Sequence, residues 1–127
     1  MRRIRAAYLL LALVTIGIGL LVHMRGEALG PVGRDFIGDA LWAVMIVWWV
    51  SALVSRALLT TRGIVAFAIC AGVELSQLYH SSALDAIRAT QLGHLILGSG
   101  FDARDLVAYG FGIAAAAILD QTLIRRR

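Results

Sequence analysis

The run from Leu9 to Val22, LLLALVTIGIGLLV, carries no charged side chain, and three later stretches are nearly as apolar. A helix needs about 20 mainly apolar residues to cross a hydrocarbon layer of ~30 Å. Inside that layer the backbone must satisfy its own hydrogen bonds, so such stretches read as helices. Four windows qualify: residues 6–24, 35–55, 63–79 and 105–124. Hydrophobic residues make up 60% of the 127, against ~45–50% in soluble domains. That excess excludes a soluble enzyme, a disordered chain and a nucleic-acid-binding domain, despite a net charge of +4. The fold class expected is an all-α membrane protein with four transmembrane helices in a single domain, residues 1–127.

All twelve basic residues are arginine, and their positions orient the chain. Arg2, Arg3 and Arg5 precede the first window, Arg56 and Arg62 fall between the second and third, and Arg125, Arg126 and Arg127 close the chain. The opposite side has Arg25, Arg34, Arg88 and Arg104. The positive-inside rule therefore predicts a multi-pass protein of the bacterial cytoplasmic (inner) membrane with both termini cytoplasmic. The first window exceeds the usual hydrophobic core of a signal peptide and no A-x-A-like site follows it, so it reads as a retained anchor. Trp48 and Trp49 read as interfacial anchors near the inner end of the second window.

Residues 82–101 are too mixed to span. Leu84, Ile87, Gln91 and Leu95 recur at helical spacing, and Gly93, Gly98 and Gly100 punctuate the apolar half of the segment. The segment reads as an outer amphipathic or re-entrant element between helices three and four. Ala108, Gly112 and Ala116 form a small-xxx-small series, and Gly72 and Ser76 a shorter one. Such spacing lets helix backbones approach closely in lipid, so spans three and four are expected to be neighbours.

Seven of the eight acids (Glu27, Asp35, Asp39, Glu74, Asp85, Asp102 and Asp105) fall on the outer side or in the outer ends of spans, leaving Asp120 alone toward the cytoplasm. Glu74 weighs most. A carboxylate within a span costs ~2.5–3.5 kcal/mol at mid-membrane and less toward an interface, so it needs a partner, a proton or a wet cavity. Gln77 lies one turn further out, Arg88 is the natural cation, and Asp105 and Tyr109 are placed to add hydrogen bonds. Asp35 and Asp102 read as helix caps, whereas Asp39 sits more than a turn inside, one turn from Trp42. The candidate ligand-binding residues are therefore Asp39, Trp42, Glu74, Gln77, Arg88, Asp105 and Tyr109. The alternative is a buried polar network that only fixes the bundle.

His23, His80 and His94 have no metal-ligand spacing, and Cys70 stands alone in an apolar run, so no metal site and no cofactor is expected. The Gly98-Ser99-Gly100 turn lacks the strand that a phosphate-binding loop requires.

Gly38-Asp39-x-Leu41-Trp42-Ala43, Glu74-x-Ser76-Gln77-Leu78-Tyr79, Ile87-Arg88-x-Thr90 and Asp105-Leu106-x-x-Tyr109, in that order, resemble an uncharacterised family of small bacterial membrane proteins, domain of unknown function 2809. More distantly, Glu74-x2-Gln77, Arg88 and Asp105-x3-Tyr109-x2-Gly112 are similar to the E-x2-Q, R and D-x3-N-x2-G pattern of VanZ-like proteins, with Tyr109 in place of asparagine. That resemblance implies a cell-envelope role linked to lowered susceptibility to lipoglycopeptide antibiotics.

The leading expectation is an outward-facing polar pocket that binds an envelope lipid or lipid-linked glycan intermediate. Arg88 would take a phosphate or carboxylate, with Glu74, Asp39 and Asp105 on hydroxyls. The partners expected are membrane lipids, anionic or polyprenyl-linked, and a second copy of the chain, but no nucleic acid. A small transporter or proton-coupled subunit acting as a homo-oligomer is the alternative, though the inner half shows almost no polar lining. An enzyme on a lipid-linked substrate is a further alternative; the absence of an activated nucleophile leans against it.

Overall fold

The computed structural model describes residues 2–97 and 102–124. Within them the chain is helical throughout, without strands: α1 (Arg2–Arg25), a 3-10 turn (Gly26–Leu29), α2 (Gly30–Leu53), α3 (Leu59–Ser76), α4 (Ser82–Ala89), α5 (Gln91–Leu97) and α6 (Ala103–Leu119), which runs into a π-helical turn (Asp120–Ile124). Three helical stretches are long and apolar enough to cross a membrane: Arg2–Leu53, Leu59–Ser76 and Ala103–Ile124. The first spans 52 residues, roughly 78 Å if it were one rod, and it is not one rod. It doubles back at the 3-10 turn, where Gly30 takes a φ of 74° that a side chain would resist. Pro31 then occupies the first turn of α2, where its missing N–H is no loss.

Contacts along α1 and α2 show the antiparallel return. Near the turn, Arg34 Nη1 donates to the His23 carbonyl at 3.3 Å. Further down, Trp48 Nε1 donates to Thr15 Oγ1 at 3.2 Å, and the Trp48 ring stacks on Tyr8 with centroids 6.0 Å apart. Trp48 is thus a core residue, not an interfacial anchor; Trp49, partly exposed beside it, remains free to serve as one. The reason is geometric: adjacent residues on a helix point about 100° apart, so only one of the pair can face lipid.

α2 is the central helix, packed on α1 along one side and α6 along the other, with α3 touching both α2 and α6. The small-residue face of α6 explains its seat. Ala108, Gly112 and Ala116 are all buried, and a Cβ on Gly112 would lie 2.1 Å from the Ala40 carbonyl oxygen of α2. The close approach therefore joins α6 to α2, while α3 also packs on α6 as expected. Gly72 of α3 has nothing within 4 Å of a built Cβ, so its small size reflects no tight contact.

The surface is inverted relative to a soluble protein. Leu10, Leu13, Leu21, Val32, Leu53, Ile64, Phe111 and Ile118 are exposed, while Ser51, Arg62, Glu74, Arg88 and Asp120 are buried. That distribution suits a hydrocarbon solvent.

Residues 82–97 form two short helices. Ser81 caps α4 by accepting from Leu84 N–H at 3.2 Å, and Thr90 Oγ1 accepts from Gly93 N–H at 3.0 Å as α5 begins. A Cβ on Gly93 would fall 1.8 Å from the Ile87 carbonyl oxygen, so glycine permits this α4–α5 corner. The expected Gly98-Ser99-Gly100 turn and the terminal arginines 125–127 lie outside the described residues. Asp102 caps α6, accepting from Arg104 N–H at 2.9 Å. Asp35 is no cap, because α2 starts five residues earlier at Gly30.

Candidate functional site

Polar side chains collect at the two ends of the bundle, separated by a middle of Ala43, Val47, Ala66 and Cys70. At one end Glu74 is fully buried. Its Oε1 accepts from the Asp102 N–H at 2.8 Å, and its Oε2 accepts from the Tyr109 hydroxyl at 2.8 Å. The carboxyl groups of Asp39 and Asp105 lie near each other, and Asp105 lies near Glu74. Trp42 packs beside Tyr109 and Cys70. Three helices, α2, α3 and α6, thus bring Asp39, Glu74, Asp105 and Tyr109 together, as the sequence predicts.

Arg88 departs from expectation. It is the only residue of α4 that is buried, but it does not pair with Glu74. Its Nη2 donates to the Ser76 carbonyl at 2.7 Å and its Nη1 to the Tyr79 carbonyl at 2.8 Å. Its Nη1 also lies 3.5 Å from Asp85 Oδ1. Ser76 closes α3 and Tyr79 lies in the turn after it, so the guanidinium ties the helix end to that turn, where the partial negative charge of a helix C-terminus favours a cation. Arg88 Nε is buried with no hydrogen-bond partner among the described residues. Gln77 is buried as the C-cap of α3, its own N–H donating to the Glu74 carbonyl.

Against Arg88 opens a cavity of about 610 Å³. α1 contributes His23, the turn after α3 His80, α4 Asp85 with Arg88, and α5 Gln91 and His94. His80 Nδ1 lies 3.1 Å from Asp85 Oδ1. The sequence gives these histidines no metal-ligand spacing, and no group of His, Cys, Asp or Glu among the described residues converges tightly enough to hold a metal ion. Their convergence on one cavity is hidden in the sequence because they come from three elements, 57 and 14 residues apart. At the start of α6, Asp102 is held below the usual carboxylate range by the Arg104 guanidinium, helped by the Arg104 N–H.

The opposite end holds what sequence reasoning missed. Arg62, expected in a loop, belongs to α3 and is buried. Its Nη2 lies 3.3 Å from Asp120 Oδ2, and its Nη1 donates to Asp120 Oδ1 at 3.3 Å, Ser51 Oγ at 2.8 Å and the Tyr8 hydroxyl at 3.1 Å. Nε reaches the Ala57 carbonyl at 3.1 Å, and the Tyr8 hydroxyl donates to Asp120. This end, expected from the sequence to show almost no polar lining, is therefore built on a bidentate ion pair whose partners join α1, α2, α3 and the turn after α6. The signal was available: Asp120 is the lone acid at that end, and a lone buried acid needs a cation.

Between α3 and α6 a second cavity, of about 480 Å³, is apolar, with Ile64, Phe67 and Ile113 in its walls.

The family described as "Protein of unknown function (DUF2809)" matches residues 30–113. The chain belongs to that family. The matched segment begins at the first residue of α2 and ends within α6, so it contains Asp39, Glu74, Arg88, Asp105 and Tyr109 along with Arg62. It leaves out α1 with Tyr8 and His23, and also Asp120. No solved structure matches the chain.

Proposed function

We propose that this protein crosses the bacterial cytoplasmic membrane four times, with both termini cytoplasmic, and binds an amphiphilic envelope lipid or lipid-linked glycan intermediate at its outer end. The antiparallel α1–α2 return supports two crossings in the first helical stretch, and the arginine distribution supports the orientation. The observation that carries the binding function is the cavity against Arg88, lined by residues of polar type from α1, α4, α5 and the turn after α3. A headgroup held there leaves its tails free to lie along the apolar surface of α1, where Leu20, Leu21 and Met24 are exposed. A role related to that of VanZ-like proteins fits the same end, because Glu74, Gln77, Arg88 and Asp105 all lie there.

Native mass spectrometry of the protein released from nanodiscs tests this. A discrete amphiphile retained above the bulk lipid composition is the expected result. Occupancy that merely mirrors the nanodisc lipids would overturn the reading.

A proton-coupled transporter is the second reading, favoured by one observation: ionisable groups stand at both ends of two helices, buried Arg62 and Glu74 on α3, and half-buried Asp105 on α6 with buried Asp120 in the turn that continues it. Proton flux into liposomes that responds to Glu74→Gln would favour it, and a silent assay would dismiss it.

A further inference from the structure

We infer that the outer cavity is a phosphate site, in which His23 and His94 are the ligand-contacting residues and Arg88 supplies a fixed positive wall. The inference rests on the proposed binding of an amphiphile at this end and names its ligand class.

The donors come first. His23 sits in the last turn of α1 and His94 in α5, and neither imidazole has a hydrogen-bond partner among the described residues. Both are exposed toward the cavity they line, with Gln91 between them on its wall. The Thr90 hydroxyl is excluded, because it is already taken up by the α4–α5 corner, donating to Ile87 O and accepting from Gly93 N–H.

Charge comes second. The one acid in the lining, Asp85, is flanked by His80 at 3.1 Å and Arg88 at 3.5 Å. Its charge is thereby countered within the wall itself. The wall therefore holds Arg88 balanced by Asp85, and the ring nitrogens of His23 and His94 are free to donate to whatever enters.

Shape decides between anions and cations, and then among anions. A metal ion needs three or four ligands about 2 Å from one point, and the lining does not converge in that way. Donors spread around about 610 Å³ suit a larger group that carries several acceptors outward. A carboxylate offers two oxygens in a plane. A phosphate ester offers three oxygens on a tetrahedron with its fourth bond leading away, which matches donors arriving from α1, α5 and the turn after α3. The shared chemistry is a phosphomonoester or phosphodiester, carried by a lipid headgroup or by a free phosphate.

The test uses the full chain in detergent micelles, with His23→Ala/His94→Ala beside wild type. Both side chains are exposed, so the double variant should keep its helical circular dichroism. Titrations use dioctanoyl phosphatidate, decanoate as a carboxylate amphiphile, and inorganic phosphate. The expected result is saturable phosphatidate binding that weakens at least about tenfold in the double variant, with decanoate binding no more tightly to wild type than to the variant. Inorganic phosphate that binds as well as phosphatidate supports the site with a free phosphate as ligand; phosphatidate alone supports a lipid headgroup. Phosphatidate and decanoate bound equally, or phosphatidate binding untouched by the substitution, overturns the phosphate assignment while the pocket itself stands. Wild type that binds no amphiphile and no phosphate overturns both.

Discussion

Both ends of the bundle bury charge, but they balance it differently. At the Arg62 end a guanidinium meets Asp120 through two of its nitrogens, and Tyr8, Ser51 and the Ala57 carbonyl occupy the rest. At the Glu74 end three carboxyls gather around Tyr109, and the nearest buried cation faces helix carbonyls instead. A closed, compensated network fixes geometry and leaves nothing for a ligand. An end with excess acceptors on one side and a cation-walled cavity on the other has capacity left over. The difference assigns architecture to one end and chemistry to the other.

The largest effect should come from unbalancing the compensated end. Arg62→Met leaves Asp120 buried without its cation, and breaking a buried pair costs about 3–5 kcal/mol. Chemical unfolding in mixed micelles should show that loss, and Arg62→Met/Asp120→Leu should recover most of it. If the double variant is no better than the single one, the pair is not what holds that end. Next in size is Gly112→Val, midway between the two ends. Its Cβ meets the Ala40 carbonyl, and overpacking of this kind costs ~1–3 kcal/mol. The loss should appear as a lower melting temperature with both ends affected equally.

Smaller effects should sharpen the picture at the Glu74 end. Tyr109→Phe removes one of the two donors on Glu74, worth about 1 kcal/mol, and should cost less than any single change in the Arg62–Asp120 pair. An equal cost would mean the two ends are both structural. The smallest effect is a titration. Arg104 holds the Asp102 carboxyl below its ordinary value, first through its guanidinium. A depressed carboxylate stabilises the fold above the usual carboxylate range, and that contribution fades as pH falls through its folded value. Arg104→Ala should move the Asp102 carbon-13 carboxyl midpoint up toward an ordinary aspartate, leaving the α6 cap in place. An unmoved midpoint would show that the guanidinium plays no part.

The apolar windows, the acid asymmetry and the Glu74–Tyr109–Asp105–Asp39 convergence were legible in the sequence because each rests on local rules: span length, charge cost and helical spacing. What was not legible depends on which helix packs on which. Gly112 announces a close approach without naming its partner, and the partner proved to be Ala40 on α2. Arg62 has the composition of a loop arginine until α3 is seen to start at Leu59. Charge alone assigns Arg88 to Glu74, whereas the Ser76 carbonyl at the end of α3 and the Tyr79 carbonyl in the turn beyond it compete for it successfully. The three histidines come together only because α1, the turn after α3 and α5 line one cavity.

Thermal unfolding of the full chain with and without dioctanoyl phosphatidate, in wild type, Asp120→Asn and His23→Ala/His94→Ala, tests the division of labour most directly. The account predicts that Asp120→Asn melts well below wild type yet keeps its ligand-induced rise in Tm. The histidine variant should melt like wild type and lose that rise. Two variants that lose stability and ligand response together would contradict it.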